Sequence, residues 1–138
     1  IENGFDPEDF IHIRKDHSPK KRILYPGKLF EYNGLIALRF FEALSLLQQK
    51  RKDLEILILN NEPQVKQAIS KLGLQNTVTQ RPYVPYHETL NLMGSANLLP
   101  IVILDPLFCL PTKIFDYINF RIPILVCHPK WPCAEGTL

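Results

Sequence analysis

Cysteine is scarce in this chain. Three in 138 residues (Cys109, Cys127, Cys133) form no C-x-x-C pair, and no histidine lies at zinc spacing. An odd count without such pairs speaks against a disulfide framework or a metal site, and for reduced thiols in a cytoplasmic setting. Long apolar runs are also missing. The longest, residues 98–104, contains Pro100 and falls far short of a membrane span. No signal peptide is visible. Charge of one sign is lacking, because 16 Lys and Arg against 14 Asp and Glu leave a net +2, too little to argue for nucleic acid. Neither G-x-G-x-x-G nor the G-K-[ST] of a P-loop occurs, so no motif supports a dinucleotide oxidoreductase or a P-loop NTPase. There is no internal repeat and no low-complexity tract.

What is present is an ordinary globular balance, 46% hydrophobic and 22% charged, in a chain long enough for one domain with a sizeable core. The ends read as those of an excised domain. Ile1-Glu-Asn-Gly-Phe-Asp6 resembles the middle of a longer chain, and the sequence stops eleven residues after Cys127. Residues 1–21 are expected to be an irregular linker, and residues 22–138 the domain. The basic cluster Arg14, Lys15, Lys20, Lys21 and Arg22 reads as a solvated connector. Its alternative is contact with an anionic surface such as the inner face of a membrane.

Periodicity then gives an alternating pattern. Residues 22–26 read as a strand and 35–50 as a helix capped by Asn33, with Phe40, Ala43, Leu44 and Leu47 on one face. Residues 54–59 are an almost wholly aliphatic strand. Val65, Ala68, Ile69 and Leu72 mark a second helix closed by Gly73. Residues 76–80 are a strand, 86–93 a short helix ending at Gly94, and 96–100 a strand. Thr112 is expected to cap a further helix carrying Ile114, Phe115, Tyr117 and Ile118, followed by a buried strand over 121–127. No hairpin turn signal interrupts this order. The expected fold class is therefore α/β, a doubly wound parallel sheet of Rossmann type.

In such sheets ligands lie beyond the carboxyl ends of the strands, at the switch in strand order. Gly27, Lys28 and Gly34 lie in the first loop on that edge, and Lys113 and Asp116 at the last helix. A cation, a carboxylate and close-approach glycines there suit a phosphorylated ligand.

These residues carry a resemblance. The chain resembles the C-terminal, nucleotide-sugar-binding half of a GT-B glycosyltransferase of the retaining group 1, or family 4, type. Asn3-Gly-Phe-Asp6, Gly27-Lys-Leu29 with Asn33-Gly34, Leu72-Gly-Leu74, Val84-Pro85 with Glu88, Ala96-Asn97 to Pro100, and Pro111-Thr-Lys-Ile-Phe-Asp-Tyr117 fall in the family's order. The resemblance implies a donor site in which Lys28 stands at the family's diphosphate-binding arginine and stabilises the leaving group. Asn33 stands at its second cation, with the loss of a charge. Asp116 stands at the second carboxylate of a Glu-x7-Glu motif that binds ribose hydroxyls, and Phe108 replaces the first. Backbone N–H groups of Phe108, Cys109 and Leu110, with Thr112 and Lys113, border the sugar and phosphates. Arg81 and Tyr83 border the base. It further implies transfer of a sugar from a nucleotide-diphosphate-sugar to an acceptor hydroxyl, in polysaccharide biosynthesis, with no cofactor and no metal. A saccharide or lipid-linked acceptor would be held by an N-terminal half. The alternatives are a non-catalytic binding module and a GT-B-type sugar-nucleotide epimerase.

Overall fold

The computed structural model describes residues 4–16, 18–103 and 111–128. Five strands alternate with four helices: β1 Lys21–Pro26, α1 Gly34–Lys50, β2 Leu54–Leu59, α2 Pro63–Lys71, β3 Val78–Arg81, α3 Tyr86–Gly94, β4 Leu99–Val102, α4 Lys113–Tyr117 and β5 Ile124–Cys127. All pairings are parallel. One ladder runs β1-β2-β3 and the other β4-β5. They meet where Ile23 bridges Leu98, with Leu24 N–H donating to Leu98 O at 3.2 Å and Asn97 N–H to Arg22 O at 2.7 Å. The spatial order is therefore β3-β2-β1-β4-β5. Strand order reverses between β1 and β4, and a doubly wound sheet opens its ligand crevice there.

Alternation along the strands sorts the core into two layers. Ile23, Tyr25, Ile56, Ile58 and Val78 pack with Phe40, Phe41 and Leu44 of α1 and with Val65, Ala68 and Ile69 of α2. Leu24, Leu57, Leu59, Leu99 and Ile101 face the other way, onto Leu90 and Met93 of α3 and Tyr117 of α4. Both faces of β1 and β2 are thus covered, which explains why residues 54–59 are aliphatic instead of alternating. Arg22 is buried among them, donating from Nε to Glu55 at 2.9 Å and from its backbone N–H to Asn97 at 2.8 Å. It is thereby removed from the exposed basic cluster.

Four sequence expectations need correction. The strand expected over 96–100 is β4, Leu99–Val102. β3 starts at Val78 because residues 74–77 form a turn, with Thr77 and Val78 N–H both donating to Leu74 O. Thr112 does not cap α4: it already has helical dihedrals and its side chain makes no capping bond. The last strand is neither as long nor as buried as expected. Arg121 sits in the left-handed region at φ 53°, which ends the preceding turn and delays the strand to Ile124. Among the described residues β5 pairs with β4 alone, leaving Leu125 43% and Val126 46% exposed.

The side chains of Arg14, Lys15, Lys20 and Lys21 are exposed as expected, but the backbone of the leading segment docks on the domain. Phe10 packs on Phe120 with ring centroids 5.4 Å apart, Arg14 N–H donates to Asn91 and Asp16 N–H to Ser95, each at 2.7 Å. Ile13 lies so close to Gly94 that an added Cβ would stand 2.7 Å from its Cγ2. Gly94→Ala should therefore lift this segment from α3. Helix propensity gains about 1 kcal/mol from the substitution, so global stability should change little. Limited proteolysis within residues 8–16 should accelerate. Unchanged cleavage would show that the segment does not depend on this contact.

Candidate functional site

The loop after β1 is fixed from below by a carboxylate. Glu62 is 5% exposed and precedes Pro63, the first residue of α2. Its side chain does not cap that helix. Instead Oε2 accepts from Leu29 N–H and Oε1 from Glu31 N–H, both at 2.8 Å, while Asn60 Nδ2 donates to Oε2 at 2.8 Å. Asn60 Nδ2 also reaches Gly27 O at 3.0 Å, and Gln80 Nε2 braces Asn60 Oδ1 at 2.7 Å. Tyr25 donates its hydroxyl to Lys28 O at 2.7 Å, and Leu29 is plugged into the core. An anionic acceptor bonded to backbone N–H groups makes stronger hydrogen bonds than a neutral one. The loop is thus held in one shape before any ligand arrives.

The same loop leads into α1 through Asn33, whose Oδ1 accepts from Leu35 N–H at 3.0 Å and Ile36 N–H at 3.1 Å, as the sequence predicts. Among the described residues nothing accepts from the Lys28 or Gly34 N–H. Open space surrounds Gly34, whereas Gly27 has φ +132°, where a side chain would be strained. A Cβ there would overlap the ammonium of Lys113 and stand 2.9 Å from its Cε.

That contact joins the two sides of the crevice. Lys113, at the start of α4, places Nζ 4.9 Å from the Tyr25 ring centroid and 5.8 Å from that of Tyr32. Among the described residues it has no ion pair or hydrogen bond. Burial pulls its pKa down to about 8, with the Glu62 charge opposing. Lys28 differs: it is exposed and paired with Glu31, and that bond raises its pKa. Asp116 accepts from the Tyr86 hydroxyl at 2.8 Å. Burial pushes the Asp116 carboxyl above its usual range, with the Tyr86 bond pulling back. Tyr83 stands half exposed near Lys28 and Tyr32, its hydroxyl pKa raised by burial.

Of the residues singled out in the sequence, the structure brings Gly27 and Lys113 into contact; Lys28, Asn33 and Gly34 follow Gly27 in the same loop and helix start, and Asp116 lies one turn further along α4. Arg81 does not join them visibly; it lines a separate concavity of about 770 Å³ with Asn61, Lys66 and Thr79 at the β3 edge. Thr112 is exposed and contributes only its carbonyl, to Phe115 N–H at 3.1 Å. Phe108, Cys109 and Leu110 lie outside the described residues. Glu62, Asn60, Tyr25, Tyr32 and Tyr86 were missed. The only sequence signal for Glu62 was a carboxylate directly before a helix-opening proline. Among the described residues no group of three His, Cys, Asp or Glu could hold a metal ion, and no helix is long and apolar enough to cross a membrane.

Two outcomes follow. Glu62→Ala leaves the Leu29 and Glu31 N–H groups without their acceptor and should cost about 3 kcal/mol in denaturant unfolding. Hydrogen exchange at those two amides should speed up, and unchanged exchange would contradict the clamp. For Lys113 the folded pKa is about 8 against an ordinary 10.5. The unfolded chain therefore binds the extra proton between those values, so the contribution of Lys113 to stability should rise as pH climbs from about 8 toward 10, before the buried tyrosines, whose folded pKa values are raised, begin to oppose it. Lys113→Met should flatten the rise, and an unaltered pH profile would show that Lys113 does not cause it.

No protein-family model and no curated protein matches the sequence. Solved structures do match. One is a Listeria monocytogenes protein named as a candidate UDP-N-acetylglucosamine 2-epimerase, with a TM-score of 0.61 at 17% identity. The match covers 78% of this chain and 27% of that one, so this chain corresponds to about a quarter of its length. At that identity the likeness shows the fold, a Rossmann-like unit of GT-B type.

Proposed function

We propose that the chain is the donor-binding unit of an enzyme acting on nucleoside-diphosphate sugars, and that the whole protein transfers the sugar to an acceptor hydroxyl with retention. The observation that carries this is the approach of Lys113, after β4, to Gly27, after β1, across the reversal of strand order. A diphosphate needs positive charge, free backbone N–H groups and room for close approach. The Lys113 ammonium against Gly27, with the unpaired Lys28 and Gly34 N–H groups in the same loop and helix start, would offer these. As the bond from sugar to diphosphate breaks, negative charge builds on the leaving oxygens, and fixed donors stabilise it without reorganising. Asp116 would hold the ribose hydroxyls, because a carboxylate accepts from both members of a diol. Arg81 and Tyr83 would border the base. Phe108, Cys109, Leu110 and Thr112 would border the sugar. The acceptor would be bound by another part of the protein. No cofactor or metal enters this scheme, and the expected location remains cytoplasmic or at the inner face of a membrane.

A second reading is favoured by one observation, the fold likeness to a structure named as an epimerase. An epimerase would use the same donor pocket but return a nucleotide sugar as its product. The discriminating experiment is a product assay on the intact protein with a panel of nucleoside-diphosphate sugars. The proposal expects free nucleoside diphosphate and a glycosylated acceptor. An isomerised nucleotide sugar without acceptor consumption would favour the epimerase. In the same assay Asp116→Ala should lower turnover about 10- to 100-fold, since it removes charge-assisted bonds to the diol. An undiminished rate would mean the residue does not hold the donor.

A further inference from the structure

We infer that Lys113, and not Lys28, is the cation that binds the diphosphate, reaching it from the start of α4 across from the loop after β1. The inference deepens the donor-site reading above and rests on it. The geometry separates the two lysines. Lys28 leaves the loop toward solvent, and its ammonium is committed to Glu31 one turn away. An exposed pair of this kind offers an incoming anion a charge that is already half neutralised and well screened. Lys113 is held against Gly27, between the Tyr25 and Tyr32 rings, with no carboxylate in salt-bridge range among the described residues. The two rings accommodate a cation through their faces but do not neutralise it.

Among the described residues the charged and titratable groups that face Lys113 are few. Tyr25 comes from β1, Tyr32 from the following loop and Glu62 from the loop before α2; Asp116 lies on its own helix. Glu62 is the one anion among the first three, and its oxygens are already engaged by Leu29, Glu31 and Asn60. An arriving diphosphate would therefore meet an ammonium that is partly stripped of water and, among the described residues, has no competing partner. Charge interactions are strongest under those conditions. The glycine at position 27 then has a second purpose besides its backbone angle: any side chain there would evict the ammonium.

The test uses calorimetric titration of the intact protein with inorganic pyrophosphate and with UDP, GDP and ADP, from pH 7 to pH 9.5. Wild type should bind at least one of these, with affinity falling as pH rises above about 8, by up to about tenfold per unit, as the Lys113 ammonium deprotonates. Lys113→Met should weaken binding about 10- to 100-fold at pH 7 and remove the pH dependence. Lys113→Arg should retain binding at pH 9.5, because guanidinium stays charged there. Lys28→Met should change affinity by less than about threefold. Should Lys113→Met fail to fold, the wild-type pH profile and the Lys113→Arg variant carry the test. Loss of binding in Lys28→Met with Lys113→Met unaffected would overturn the assignment while leaving the donor site standing. A wild type that binds none of the four probes would overturn the donor site itself, and this inference with it.

Discussion

A buried carboxylate holding a loop by its backbone is the constraint on which the crevice depends. Glu62 gathers Leu29 N–H, Glu31 N–H and the Asn60 amide on its two oxygens. Burying such a charge is costly unless its lone pairs are filled. Here three donors occupy most of them, and two belong to the loop after β1. Rigid placement of Gly27 and of the α1 start follows from that arrangement. So does the space into which Lys113 extends.

The sheet provides the frame for this contact. Because β1 lies between β2 and β4, the loop after β1 and the start of α4 meet although they are far apart in sequence. The loop brings glycine, free N–H groups and a capped helix. The helix α4 brings an ammonium and, one turn on, Asp116. Neither alone carries the full set of groups a diphosphate would need.

Much of the scaffold was legible beforehand. Residues 54–59 read as a strand because an aliphatic run of that length is buried on both faces, and that is where β2 lies. Asn33 read as a cap because its short amide can reach back to the helix start, and it does. Gly73 read as a helix stop and takes φ +65°. Boundaries failed where side-chain preference lost to local turns, as at Leu74 before β3 and at Arg121 before β5. The site was less legible. Glu62 looks like any surface acid in a polar turn, and its loop partners are more than thirty positions away. Lys28 attracted attention by its spacing in the motif, yet its charge is spent on a neighbour three residues on. Lys113 owes its environment to tyrosines on β1 and the loop after it, and no local pattern reports that.

The most direct measurement is a crystal structure of the intact protein with a bound nucleoside diphosphate. The account predicts diphosphate density against Gly27 and the α1 start, with a phosphate oxygen within hydrogen-bonding distance of Lys113 Nζ and the ribose near Asp116. Density for the diphosphate in the β3-edge concavity beside Lys66 and Arg81, with Lys113 still between Tyr25 and Tyr32, would contradict it.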